Sequence, residues 1–181
     1  MLNAIGVGCT STMFRPLLVD IGLSLADIGL LAGVVSNATA LVGAMIAGLV
    51  MTRWGRKRSL ISFGLLEVVG IALHLLPALG LTSLTVLYLV AITFQIAFSM
   101  TLTVFYSLMM DNSRPEVAGT DFSIQTSILM IGGLGTAGFS GFIVNAVGYA
   151  GLFAISTGVC LVSVVMLAKA FDKDKVIVTT F

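Results

Sequence analysis

Charge is what this sequence has least of. Asp, Glu, Lys and Arg make up 9% of its 181 residues, where a soluble domain carries roughly 25%. So few charges cannot coat a water-facing surface, which excludes an ordinary soluble domain and makes an integral membrane protein the first reading. The net charge is +1, so no global positive field calls for nucleic acid, and no such partner is expected. Cysteine is nearly missing too. Cys9 and Cys160 lie in separate apolar runs, without the spacing of a disulfide framework or a metal site. They read as packing residues, and neither a metal nor a cofactor is expected. The amino-terminal MLNAIGVGCTST has no basic region and no cleavage site of the kind that ends a signal peptide.

What is present is apolar length. Hydrophobic residues make up 58% of the chain, and a helix needs about 20 mostly apolar residues to cross the hydrocarbon core. Six stretches qualify, the first barely: Leu2–Leu18, Ile28–Met51, Leu60–Leu79, Leu84–Met110, Phe122–Ala146 and Tyr149–Ala168. They are continuously apolar and lack the period-2 alternation of a lipid-facing barrel. The expected fold class is all-α: a polytopic membrane protein with six transmembrane helices. Residues 1–170 would form the bundle and residues 171–181 a cytoplasmic tail.

The few cations are not evenly spread. Arg53, Arg56, Lys57 and Arg58 fall between the second and third stretches, Arg114 between the fourth and fifth, and Lys169, Lys173 and Lys175 at or after the sixth. The alternate connections carry no Lys or Arg. Eight of the nine cations therefore lie on one side of a six-span weave. The positive-inside rule makes that side cytoplasmic, with both termini inside. Arg15 stands apart, near the outer end of the first span.

Helix-start signals agree with this layout. Ser24-Leu25-Ala26-Asp27 reads as a capping box opening the second span. Ser113-Arg114-Pro115-Glu116 has the same form and predicts a short interfacial turn, after which Thr120 or Asp121 would cap the fifth span. Small residues predict close helix contacts: the ridge IGGLGTAGFSG (residues 131–141) on the fifth span, and Ala44 with Gly48 on the second.

The stretch GLVMTRWGRKRSL, Gly48 to Leu60, resembles the cytoplasmic loop motif of the major facilitator superfamily, Gly-x-x-x-Asp-Arg-x-Gly-Arg-(Arg/Lys). Gly48, Arg53, Gly55, Arg56 and Lys57 match, and Thr52 stands where the family favours Asp. Gly48 would admit a close neighbouring helix, Gly55 a tight turn with positive φ, and the cations would bond helix carbonyls, acids or lipid phosphates. Topology alone is the plainer role for these cations; locking the cytoplasmic side is the added one. Tyr106–Gln125 and Phe14–Gly29 are similar to segments of a branch that includes bacterial siderophore-uptake, muropeptide and acetyl-CoA permeases. The resemblance implies the second half of a twelve-helix fold, whose partners are the lipid bilayer, a first six-helix half and a small-molecule substrate. It further implies proton-driven siderophore uptake across a bacterial inner membrane, with a muropeptide or acetyl-CoA-type permease as the alternative. The short first span, without a cytoplasmic lead-in, reads as a fragment or truncated gene, and a non-transporting remnant or partner subunit is a further alternative.

Polar groups inside the spans are the candidate site residues, because hydrocarbon makes them costly. Arg15 either snorkels outward or attracts an anionic substrate. Asn37 and Gln95 lie roughly 14 and 16 Å deep at 1.5 Å per residue; they either bond helix to helix or line a substrate pathway. Gln125 extends a polar path inward from Asp121. Glu67, roughly 10 Å inside, is a candidate proton carrier with Asp121, and His74 reads as an interfacial polar residue. Asp111, Arg114, Glu116 and Asp121 form a mixed-charge cluster that serves either as solvated loop or as a gate. Phe94, Phe98 and Tyr106 supply either packing or aromatic walls. Gly138-Phe139-Ser140-Gly141 resembles the core of a six-span intramembrane serine protease. A serine nucleophile needs a histidine base, and the one histidine precedes the serine rather than following it, so no catalytic residue is expected and the chain reads as no enzyme.

Overall fold

The computed structural model describes residues 2–178, with side chains through Lys169; the expectation for the tail at residues 179–181, and for the side chains of Lys173 and Lys175, lies outside the described residues. All the described elements are helical: α1 (Leu2–Asp20), α2 (Leu25–Gly29), a π-helical stretch (Leu30–Val35), α3 (Ser36–Trp54), α4 (Arg56–Leu73), α5 (Leu75–Ala78), α6 (Leu84–Asp111), a 3-10 turn (Pro115–Val117) and α7 (Ala118–Val178).

Four segments are long and apolar enough to cross a membrane: Leu25–Trp54, Arg56–Ala78, Leu84–Asp111 and Pro115–Lys169. The last has 55 residues, about 80 Å at 1.5 Å per residue, more than twice the roughly 30 Å hydrocarbon core. Within it Gly148 has φ 73° and ψ 174°, which interrupts the helix where the sequence predicts a connection. α1 spans 19 residues and holds Pro16, but it is not among the four.

Two of the predicted starts behave differently. Ser24 caps α2 as expected: its hydroxyl accepts from the Asp27 N–H at 3.1 Å and donates to Asp27 Oδ2 at 2.6 Å. Ser113 does not cap. Its hydroxyl donates backward to the Met109 carbonyl at 2.8 Å, because it follows α6 directly and the last carbonyls of a helix need donors. Thr120 and Asp121 do not cap the fifth span either, since α7 already begins at Ala118.

Packing joins α1 to α7, α3 to α6, and α4 to both α6 and α7. Phe14, Leu18, Leu31, Leu87, Leu152 and Phe153 form one core cluster, and Ala47, Leu60, Phe63, Met100 and Val104 another. Close approach is made by only some of the expected glycines, and by others. A Cβ on Gly43 would meet Ser99 Oγ, and the Ile96 carbonyl oxygen at 2.7 Å; at Gly48, Gly135, Gly138 and Gly141 it would meet nothing within 4 Å. The buried small pair on α3 is Gly43 and Ala47, one residue before Ala44 and Gly48. One residue turns a helix by about 100°, so a one-position shift changes the face. On the fifth-span ridge the contact is at Gly133, whose backbone faces Gly8 of α1.

The two ends of the bundle are each pinned by one long-range polar contact. Tyr149 donates to Asp20 Oδ2 at 2.6 Å. At the other end Arg56 forms an ion pair with Asp111.

Candidate functional site

α1, α4, α6 and α7 line a half-open cavity of about 310 Å³. Asn3 and Ser11 of α1 line it, with Glu67 of α4, Phe98, Thr101 and Tyr106 of α6, and Met130 and Gly133 of α7. Most of the wall is carbon, and no Lys, Arg or His is among the lining residues.

The polar groups of this wall are unequally satisfied. The Ser11 hydroxyl donates to the Val7 carbonyl at 2.8 Å and the Thr101 hydroxyl to the Ala97 carbonyl at 3.0 Å. Both are thus spent on their own helices, a usual way for hydroxyls to sit in a helix. Glu67 is fully buried. Its Oε2 accepts from Asn3 Nδ2 at 3.0 Å. The other oxygen of each partner, Glu67 Oε1 and Asn3 Oδ1, is buried with no hydrogen-bond partner among the described residues. A buried polar atom without a partner costs about 1–3 kcal/mol, so two side by side call for an explanation. Counted from Arg56 at the start of α4, Glu67 lies about 16 Å along the axis. The first four of those residues, Arg56 to Ser59, are polar, so the count from Leu60 stays at roughly 10 Å.

The other expected pathway residues do not gather here. Arg15 is exposed on α1. Asn37 is exposed and donates to the Gly33 carbonyl at 2.5 Å, inside the π-helical stretch where carbonyls lose their usual partners. Gln95 is half-buried on α6. Gln125 donates to Ser113 Oγ at 3.4 Å. None of the four lines the cavity; Glu67 does, and so do Phe98 and Tyr106 of the three aromatics weighed as walls. Asn3, Ser11 and Thr101 were missed because a lone amide in a first turn and hydroxyls in apolar runs look like ordinary helix residues. The one available signal was the spacing of Asn3, Val7 and Ser11, which places two polar groups on one face of α1.

Asp121 is taken up by Arg114. It stands in the first turn of α7, before the apolar run that begins at Phe122. Its carboxylate accepts from Arg114 Nε at 2.9 Å, Arg114 Nη2 at 2.8 Å and the Arg114 backbone N–H at 3.1 Å. These bonds hold its pKa well below the usual carboxylate range, at about 2, so it stays ionised.

The basic loop has the predicted turn. Gly55 joins α3 to α4 with φ 77° and ψ 162°, a conformation open to glycine and strained for other residues. Arg53 and Arg56 are exposed and Lys57 is half-buried. Thr52 donates to the Leu49 carbonyl at 2.7 Å. Gly48 makes no close helix contact, contrary to expectation, because its face points away from α6.

His74, expected at an interface, is fully buried. It stands between α4 and α5, with Nδ1 donating to the Gly70 carbonyl at 2.9 Å. Phe14, Phe94 and Phe153 surround its ring at centroid distances of 4.7, 5.0 and 5.3 Å. Ser140 donates to the Ala137 carbonyl at 2.8 Å, which accounts for GFSG as ordinary helix.

A family model of the Major Facilitator Superfamily matches residues 1–178. The chain belongs to the Major Facilitator Superfamily. It is accordingly a multi-pass membrane protein of a transporter family, and the superfamily's members are not typically enzymes.

Proposed function

We propose that the chain is the six-crossing second half of a twelve-helix secondary transporter that moves a small molecule in exchange with or alongside protons. The single observation that carries this reading is Glu67, a fully buried carboxyl with one oxygen unspent, at the wall of a half-open cavity lined by four helices. An ionisable group at such depth is costly and marks a pathway or relay. Gly148, which interrupts the last helix, supports two crossings there, and α1 supplies the sixth. Arg53, Arg56, Lys57, Arg58 and Arg114 at one end of the bundle support a cytoplasmic placement of that end and of both termini. A bacterial inner membrane follows from the same reading.

Siderophore uptake, and the muropeptide and acetyl-CoA alternatives, rest on the resemblance of Phe14–Gly29 and Tyr106–Gln125. An anionic substrate of any of these types needs a counter-charge. Arg15 supplies one only from outside the cavity, since the cavity wall has none.

The test takes the chain from its native membrane with any chains that accompany it, reconstitutes them in proteoliposomes and imposes a proton gradient. Gradient-dependent accumulation of a labelled substrate, reduced at least tenfold by Glu67→Gln, is the expected result. Accumulation that survives collapse of the gradient overturns proton coupling. No accumulation of any labelled class would favour a non-transporting partner subunit.

A further inference from the structure

The polar end of the cavity consists of acceptors. Glu67 Oε1 and Asn3 Oδ1 are both buried and unpartnered, and both belong to side chains joined by the 3.0 Å bond between Asn3 Nδ2 and Glu67 Oε2. A carboxylate and an amide oxygen accept hydrogen bonds and offer none. The Ser11 hydroxyl donates to its own helix carbonyl, and the Thr101 hydroxyl donates to the Ala97 carbonyl while lying within reach of the Glu67 carboxyl. The rest of the wall, including Phe98, Leu102, Phe105 and Met130, is apolar. The space, about 310 Å³, matches the low end of small-molecule pockets.

We infer that this cavity binds an organic ammonium, its charged nitrogen drawn to the end where Glu67 and Asn3 meet and its apolar body lying along Phe98, Leu102, Phe105 and Met130. An ammonium brings three N–H donors and the positive charge that the cavity wall does not contain. A buried carboxylate without a counter-ion is the state a membrane protein avoids, so ligand charge is recognised by what its arrival removes. Aromatic walls suit the same ligand, since a ring face attracts a cation and packs against an apolar body. A neutral isostere forfeits the charge, and an anion meets a like charge with no compensating cation. This inference rests on the transport reading for its physiological sense but not for its geometry.

The test is equilibrium binding to the full chain, with any chains that copurify, in lipid nanodiscs. Labelled phenethylammonium, 2-phenylethanol and 3-phenylpropionate serve as cationic, neutral and anionic probes of one shape. The expected result is saturable binding of the ammonium, at least tenfold tighter than the alcohol, with no binding of the acid. Glu67→Gln should reduce that discrimination to less than threefold. Equal affinity for ammonium and alcohol in the unaltered protein overturns the inference, as does full discrimination in a folded Glu67→Gln protein. If Glu67→Gln does not fold, Asn3→Leu and Phe98→Ala decide. The first should weaken the ammonium and spare the alcohol. The second should weaken both and leave methylammonium unchanged; failure of either pattern overturns the site. Sodium or methylammonium displacing phenethylammonium at equal concentration would also overturn it, because the apolar body would then contribute nothing. Binding without transport leaves the inference standing and sinks the transport reading; transport of another class with no ammonium binding does the reverse.

Discussion

Arg56, the first residue of α4, is ion-paired with Asp111, the last residue of α6. The pair spans the cation-rich end of the bundle and supplies what Thr52 does not. In the superfamily loop motif an acid stands at that position. Here Thr52 bonds its own helix, and the carboxylate comes from another helix. The side chains are 43% and 41% exposed, so the pair adds only about 0.2–1 kcal/mol to stability.

Its effect should therefore appear in cycling rather than folding. Arg56→Ala and Asp111→Ala should each lower gradient-driven uptake several-fold while thermal stability changes by less than about 1 kcal/mol. The charge swap Arg56→Asp with Asp111→Arg should recover part of the loss. Site-directed cysteine labelling from each side of the membrane checks orientation. Inverted orientation in Arg56→Ala, with cycling intact in correctly inserted molecules, would leave topology as the only role of that cation.

Gly43→Ala should destabilise the protein by about 1–3 kcal/mol, the cost of overpacking. Its added methyl meets Ser99 Oγ and the Ile96 backbone, with Ile96 Cα at 3.1 Å, and backbone does not yield. Gly48→Ala has open space and should be neutral, or stabilising by up to about 1 kcal/mol through helix propensity. Thermal unfolding of the two variants in nanodiscs compares them directly. A larger loss at Gly48 would show that another chain packs there.

The Arg114–Asp121 pair defines an acid limit. A carboxyl whose folded pKa lies below its unfolded value stabilises fully above the unfolded value and loses that contribution as pH falls through the folded one. For Asp121 the window runs from the ordinary 3.8 down to about 2. The turn from Arg114 to α7 should be unchanged by titration between pH 5 and 8 and should loosen below pH 4. Hydrogen exchange of the Arg114 and Val117 amides reports it, and Asp121→Asn should show the loosened pattern already at pH 7.

His74→Ala should cost about 2–4 kcal/mol, because the vacated space sits among three phenyl rings that cannot collapse into it. His74→Leu keeps most of the volume and should cost less. Denaturant or thermal melts in detergent separate the two, and equal losses would place the weight on the Gly70 hydrogen bond instead.

Much of the architecture was legible because apolar length is a strong signal. The runs from Ile28, Leu60 and Leu84 lie within three of the segments that meet membrane length, and Gly148 marks the predicted break. The Ser24 cap and the Gly55 turn were legible for the same reason, since each needs a particular side chain or its absence. The site was far less legible. Glu67 drew notice by its charge, but which helix it faces depends on rotation about α4, and an all-apolar helix has no polar face to fix that rotation. The same ambiguity moved the small-residue contact from Ala44 and Gly48 to Gly43 and Ala47. Asn3 and Thr101 carry no signal until the helices are assembled.

The π-helical stretch Leu30–Val35 sets that rotation for α3. Such a stretch is an α-helix that has absorbed an extra residue, and each residue is worth about 100° of azimuth. Leu30–Val35 thus works as a phase shifter between two halves of one rod. Upstream of it Ser24 and Asp27 cap the rod's start; downstream, Gly43 and Ala47 are the buried small residues of α3, with Gly43 against Ile96 and Ser99 of α6. Winding it out would turn α3 by about 100° relative to α2 and deliver a different face of it to α6.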